Sequence, residues 1–300
     1  MAGLKELRGR IATVKSTEKI TSAMKMVAAS RLRRAQDVLQ KNTAYRDDLY
    51  RAITRIMKNL KRREVEENKP IKPHSLCCPK AENNRFMLVV LTSDKGLCGS
   101  YNSTVGKAAI ARIEQLIAEG KEVRVITLGH RGYNILKKHY IDFIERNDES
   151  VVNHGVDYCE AESLAEELVQ LFAADKVDVC EIVYAKFKSA LSREVVSEQV
   201  LPFDLQKIAV SDTSENAEYI VEPDEYEILD AIIPMAFKEF VFDIMINSQA
   251  SEQGARMTSM DNATRNATDM IAHLNLRYNR LRQGAITTEL TEIIAGAEAV

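Results

Sequence analysis

Apolar residues at Leu4, Leu7, Ile11 and Val14, and again at Ile20, Met24 and Val27, step by three and four. That interval puts one stripe of an α-helix against a partner helix. No proline falls between Leu4 and Arg63, and the one glycine, Gly9, lies close to the start, so nothing in the stretch suits a helix terminus. The pattern predicts a single helix about 90 Å long, more than a compact domain can use, and the helix is expected to project. The far end of the chain carries a matching pattern. Ala267, Ile271, Leu274, Tyr278, Leu281 and Ala285 step 4, 3, 4, 3, 4, a heptad seam that predicts a left-handed supercoil. Gly254 and Gly284 each weaken this second helix by about 1 kcal/mol relative to alanine, which packing can override.

The texture changes between the two seams. Pro70, Pro73 and Pro79 stand among mostly polar residues and mark a linker. Phe86 to Thr92 is a continuous apolar run of the kind found in buried parallel strands, followed by a glycine-bearing loop and a helical stretch from Ser103 to Glu119. Val123 to Leu128 repeats the strand, Gly129 to Gly132 the loop, and Ala161 to Ala174 is again helical. Val177 to Phe187 and Glu194 to Leu201 read as two further strands, and Asp224, with Glu227 three residues on, resembles a capping box that restarts helix. Strands alternating with helices imply a mostly parallel sheet. The expected organisation is an N-terminal coiled-coil helix over 1–63, a linker over 64–83, an α/β domain over 84–210, a connector over 211–223 and a C-terminal coiled-coil helix over 224–300. The fold class is α/β: a long antiparallel coiled coil of the N- and C-terminal helices plus a Rossmann-like α/β domain. Antiparallel pairing is the economical arrangement for two helices that bracket a domain whose ends lie close together.

Composition narrows this picture. With 45% apolar and 28% charged residues the chain can bury one or two cores. The longest apolar candidate, Ala231 to Val241, is broken by Pro234, Lys238 and Glu239 and is too short to cross a bilayer. Cys77, Cys78, Cys98, Cys159 and Cys180 include no CxxC pair and no metal-ligand spacing. An odd count makes a poor disulfide framework, so a reducing compartment fits. The net charge of −3 hides an asymmetry: residues 1–41 carry ten Lys or Arg against Glu6, Glu18 and Asp37, whereas residues 145–175 carry nine acids against Arg146. The basic end suits an acidic partner or a solvated face.

Chemistry has few candidates. The loop Ser93 to Gly99 follows a strand and precedes a helix, the setting of a phosphate cradle, yet it matches neither GxxxxGK[ST] nor GxGxxG. The second strand ends Thr127-Leu128-Gly129-His130, without the acid that holds a ribose. The five histidines show no paired spacing, and neither GxSxG nor HExxH occurs. No catalytic residue, cofactor site or metal site is assigned. The first helix has no aromatic before Tyr45 and no nucleic-acid recognition module.

Three segments resemble the ATP synthase gamma family: residues 7–36 (LRGRIATVKSTEKITSAMKMVAASRLRRAQ), residues 92–102 (TSDKGLCGSYN), and the stretch from 251–263 (SEQGARMTSMDNA) to the final GAEAV. They cover about a third of the chain, in the family's order. The resemblance implies a non-catalytic central-stalk rotor, one copy per complex. Its terminal helices form an asymmetric shaft inside an alpha3beta3 hexamer, its globular part rests on a c-ring, and its neighbours are an epsilon subunit in bacteria or delta and epsilon subunits in mitochondria. Rotation would present different faces to three catalytic beta subunits and shift their nucleotide affinities. By position, the resemblance assigns beta-subunit contacts to Arg256, Arg282, Gln283, Thr287 and Glu289, places Met24 on the opposing helix near them, and sets Arg33 and Arg34 near acidic loops of beta. It assigns the foot that touches the c-ring to Tyr219 and Glu222, with Val221 where some members have tyrosine.

The family also implies a peripheral protein of an energy-coupling membrane. The cysteine-bearing insertion of chloroplast members is absent, and residues 62–82 do not resemble the usual connector. No cleavable presequence is evident, which fits a bacterial plasma membrane, while the basic amino terminus also suits import to the mitochondrial inner membrane. Two other classes stay open on the residues alone: a nucleotide-dependent α/β enzyme with coiled-coil arms, which needs the Ser93–Gly99 loop to hold phosphate, and a passive coiled-coil scaffold, which would form a homodimer.

Overall fold

The computed structural model describes residues 2–67, 71–148, 156–206, 222 and 224–298. Two compact units emerge, Arg31–Ala255 and the pair Met1–Ser30 with Arg256–Val300. Helices α1 (Ala2–Glu67) and α5 (Glu225–Glu298) each contribute to both.

The Arg31–Ala255 unit is built on a five-stranded sheet in the order β3-β2-β1-β4-β5, with β1 Arg85–Leu91, β2 Glu122–Leu128, β3 Ile144–Asp148, β4 Val179–Phe187 and β5 Arg193–Leu201. The first four strands pair in parallel; β5 returns antiparallel along β4. Helices α2 (Tyr101–Ala118), α3 (His130–Tyr140) and α4 (Tyr158–Ala173) make the crossovers. The apolar run of β1 is buried on both faces, as a central parallel strand requires: Met87, Leu88, Val89 and Val90 are fully inaccessible. Leu88 and Val90 pack with Val105, Ala109, Ile113 and Leu116 of α2. Each such side chain contributes about 1.5–3 kcal/mol by leaving water. At the start of α4, Asp157 and Glu160 form a reciprocal capping box.

Two elements depart from the sequence reading. Gly129 to Gly132, expected as a loop, opens α3, and Ile144–Asp148 adds the strand β3. Four of the five β3 residues are polar or charged and β3 lies at the sheet edge, so it lacks the apolar run that marks a buried strand.

Within this unit α1 and α5 run antiparallel. Asn42 donates to Glu239, Arg46 to Asp243 at 3.0 Å, and Arg63 to Glu225 at 2.6 Å. Burial pushes the carboxyls of Glu239 and Asp243 above the usual range, with Arg46 opposing the effect at Asp243. Lys238 of α5 bridges Glu162 and Glu166 of α4 at 2.8 and 2.6 Å. Ser251 to Ala255 is buried on every side of α5. Gly254 lies beside the Ser189–Ala190 turn, and a Cβ there would stand 3.4 Å from the Ala190 carbonyl oxygen, an ordinary contact.

The second unit is a pair of helical segments, also antiparallel. Lys25 meets Asp261 at 2.5 Å, Thr264 donates to Thr21 at 2.9 Å, and Thr268 donates to Glu18 at 2.8 Å. The α5 seam is the expected one at Ala267, Ile271, Leu274, Tyr278 and Ala285, which are its shielded positions, but not at Leu281, which is 45% exposed. The α1 seam differs past Val14. It continues through Glu18, Thr21, Lys25 and Ala28, whereas Ile20 and Val27 are 57% and 54% exposed. Polar residues can fill the seam because each finds a partner across it, and the apolar row is turned outward.

Candidate functional site

The crevice beyond the carboxyl ends of β1 and β2 is where a doubly wound sheet would hold a nucleotide. Here the chain fills it with its own groups. The N-terminal amides of α3 are capped from the preceding loop: His130 N donates to Asp94 Oδ1 at 2.9 Å, and Gly132 N to Thr92 Oγ1 at 2.8 Å. Arg131 N donates to the Ser93 carbonyl at 3.1 Å. A carboxylate and a hydroxyl therefore stand where an anion would be received. Gly129, at φ 107°, permits the contact, because a Cβ there would lie 2.3 Å from the Thr92 carbonyl oxygen. Leu97 (φ 65°) and Gly99 (φ 58°) turn the loop back, and Asn102 holds it by accepting from Ser93 N at 3.0 Å.

Over the crevice lies α5. Tyr101 Oη and Ser248 Oγ are 2.8 Å apart, and Met245, Ser248, Gln249 and Glu252 help wall a cavity of about 20 Å³. That is room for about one water and none for a phosphate. The nucleotide-dependent reading of this loop is not favoured: the glycines serve a tight turn against the start of α3. Among the described residues no group of three or more His, Cys, Asp or Glu could hold a metal ion.

The remaining candidates lie on the helices. In the two-helix unit Arg282, Gln283 and Thr287 are all exposed, and the Thr287 hydroxyl donates to the Gln283 carbonyl at 3.0 Å. Glu289 lies in the same helical stretch. Met24 is half-buried and Arg256 is 8% exposed, so Arg256 is no solvated helix position. The placement of Met24 near the whole group is corrected by the helix register. Facing Asp261 to Thr264, it lies about two turns from Arg256 but about 30 Å from Arg282 at 1.5 Å per residue. Arg33 and Arg34 are exposed on α1 within the sheet-bearing unit, flanking the buried Leu32 and Ala35. Glu222 is exposed, and Tyr219 lies outside the described residues.

Sequence reasoning missed the outward apolar rows. Besides Ile20 and Val27, Met26 is 64% exposed on α1, and Leu276, Leu290 and Ile293 of α5 are 69%, 55% and 67% exposed. Exposed apolar rows of this extent mark a surface that another molecule covers. The signal was present in the spacing of Ile20, Ala23 and Val27, which lies off the register of the Leu4–Val14 seam. No described helix is long and apolar enough to cross a membrane.

Comparison with known proteins agrees with this arrangement. A family model described as ATP synthase matches residues 3–300. The ATP synthase gamma chain of Paramagnetospirillum magneticum is 42% identical over 301 residues, and that of Pelagibacter ubique 39% over 300, each covering all of both chains. A chain from the central stalk and c-ring structure of the Tetrahymena thermophila mitochondrial ATP synthase is 26% identical, with TM-score 0.57 over 81% of this chain and 99% of its own. A chain of the Euglena gracilis mitochondrial ATP synthase in rotational state 3 shares the fold, with TM-score 0.64 at 17% identity, over 99% and 94%.

Proposed function

Since the chain belongs to the ATP synthase gamma family and is a central-stalk rotor subunit, we propose that its coupling surface is the outward face of the Met1–Ser30 and Arg256–Val300 helical pair. The observation that carries this reading is the inversion in α1, where Glu18, Thr21 and Lys25 occupy the seam while Ile20 and Val27 face out. Folding alone would favour the reverse. A surrounding ring of alpha and beta subunits supplies the missing cover, and the exposed Arg282, Gln283 and Thr287, with Glu289, add polar contacts to beta.

In this account the chain is non-catalytic. Nucleotide chemistry belongs to beta, and the rotor acts by contacting its three copies differently at each angle, which shifts the populations of their affinity states. Tyr219 and Glu222 touch the c-ring, a small central-stalk subunit flanks the sheet-bearing unit, and the protein is peripheral on a bacterial plasma membrane or the matrix face of a mitochondrial inner membrane. One copy serves each complex.

Replacing Arg282 and Gln283 together by alanine tests the contact. Both are exposed and off the seam, so packing is spared. The loss of a charge-assisted hydrogen bond, about 1.5–3 kcal/mol, slows a coupled step by about one to two orders of magnitude. Subunit stoichiometry and multisite ATP hydrolysis are measured on one preparation. Normal turnover in a fully assembled double variant would refute the contact, and failure to assemble would assign these residues to assembly instead.

A further inference from the structure

Within the Arg31–Ala255 unit, a cleft of about 690 Å³ opens between α1, residues 73–83 and the end of the β4–β5 pair. Its volume falls in the range of about 300–1,000 Å³ that encloses small ligands. Met57, Pro73, Pro79 and Leu205 present the accessible apolar lining, over a floor of Ile53, Val179 and Phe203, which are only 1%, 6% and 2% exposed. That floor is part of the packed structure.

Charge is distributed unevenly around it. Lys58 and Lys61 stand one turn apart on α1, both exposed and both without an ion pair among the described residues. Among the described residues Asp204 is the one carboxylate in the lining, and its Oδ1 already accepts from Gln206 N at 2.9 Å. Cys77 adds no negative charge: burial, with smaller contributions from Cys78 and Asp204, pushes its thiol up to about 12. An apolar cleft with two uncommitted ammonium groups at its edge is complementary to a molecule with one alkyl chain and one anionic head.

We propose that this cleft binds a single-chain anionic amphiphile, with the chain against Met57, Pro73, Pro79 and Leu205 and the head between Lys58 and Lys61. A fatty carboxylate and a lysophospholipid phosphate share this chemistry. The site does not depend on the rotor reading, because it is defined by ligand binding and not by ATP turnover.

Isothermal titration calorimetry of the full chain with dodecanoate, lauroyl lysophosphatidate and dodecyltrimethylammonium, each below its micelle concentration, tests the proposal. The expected result is one saturable site for at least one of the two anions, the tighter of which identifies the natural head group, and none for the cation. Lys58→Met with Lys61→Met weakens binding at least tenfold, and Met57→Trp, which fills the cleft and leaves both lysines, does the same; circular dichroism confirms that both variants fold. Equal binding of the cation, binding indifferent to both variants, or no saturable anion binding would each overturn the proposal. The titration is repeated on the assembled synthase, where retention of the site supports it. Loss of the site there would assign the cleft to a partner subunit and overturn it as a ligand pocket.

Discussion

The two units treat their apolar residues in opposite ways. In the sheet-bearing unit the strands β1 and β4 are buried almost throughout, and α5 is enclosed on all sides from Ser251 to Ala255. Even the loop that resembles a phosphate cradle is used up in holding the turn between β1 and α2 against α3. In the helical pair the same two helices leave Ile20, Met26, Val27, Leu276, Leu290 and Ile293 in solvent. The first unit is explained by its own folding. The second makes sense only with a partner, because burial of apolar area is the main source of stability and this unit forgoes it along one face.

The largest effect that sharpens this contrast is expected at Gly129. A valine there would place its Cβ 2.3 Å from the Thr92 carbonyl oxygen at φ 107°, costing about 3 kcal/mol or more and lowering Tm by about 6–12 °C. A thermal melt indistinguishable from wild type would show that the cradle-like loop is not structural. Next comes a pair of neighbours on α1. Ala28 is 1% exposed and Val27 is 54% exposed. Ala28→Glu should destabilise the chain by about 2–4 kcal/mol, through overpacking and a buried charge, whereas Val27→Glu should change stability by less than about 0.5 kcal/mol while weakening assembly. Chemical denaturation and native mass spectrometry separate the two outcomes.

A smaller effect is expected at Glu239, which is 1% exposed, accepts from the neutral Asn42, and lies one turn from Asp243, with Arg46 nearby. Burial raises its folded-state value above that of the unfolded chain. Its proton therefore favours the fold, and stability is lost as pH rises from the ordinary glutamate value, near 4.3, through the raised one. Glu239→Gln keeps an acceptor for Asn42 and removes that loss. Its Tm should exceed the wild-type value by a few degrees at neutral pH, with the difference closing toward pH 4. A constant difference across that range would contradict the assignment. The smallest effect is Thr268→Ala, which removes an exposed hydrogen bond to Glu18 and should cost no more than about 0.5 kcal/mol.

How much of this was legible in the sequence follows the same division. The α5 seam could be read because its shielded residues, Ala267, Ile271, Leu274, Tyr278 and Ala285, are apolar or aromatic and fall on one heptad pattern, which only the exposed Leu281 interrupts. The sheet's central strands could be read because they are buried on both faces. The α1 seam could not be followed past Val14. Periodicity assigns apolar residues inward, and there Glu18, Thr21 and Lys25 meet Thr268, Thr264 and Asp261 across the pair. Cross-helix partners of this kind are invisible before the register is known. Helix α3 was hidden by the glycines that open it, and β3 by its polar edge. Of the proposed contact residues, Arg282 and Gln283 came from resemblance alone, since an exposed polar position on a helix looks the same with or without a partner.

The central claim, that the outward face of the helical pair couples this chain's rotation to nucleotide turnover, is tested most directly by watching it turn. Cys159 of α4 is exposed and free, so a probe can be attached there in a chain carrying Cys77→Ser and Cys78→Ser, assembled in a synthase whose catalytic ring is fixed to a surface. The account predicts unidirectional rotation of the probe on adding ATP, slowed about tenfold or more by Arg282→Ala with Gln283→Ala. A probe that stays still while the immobilised complex hydrolyses ATP, or one that turns at the same speed in the double variant, would contradict it.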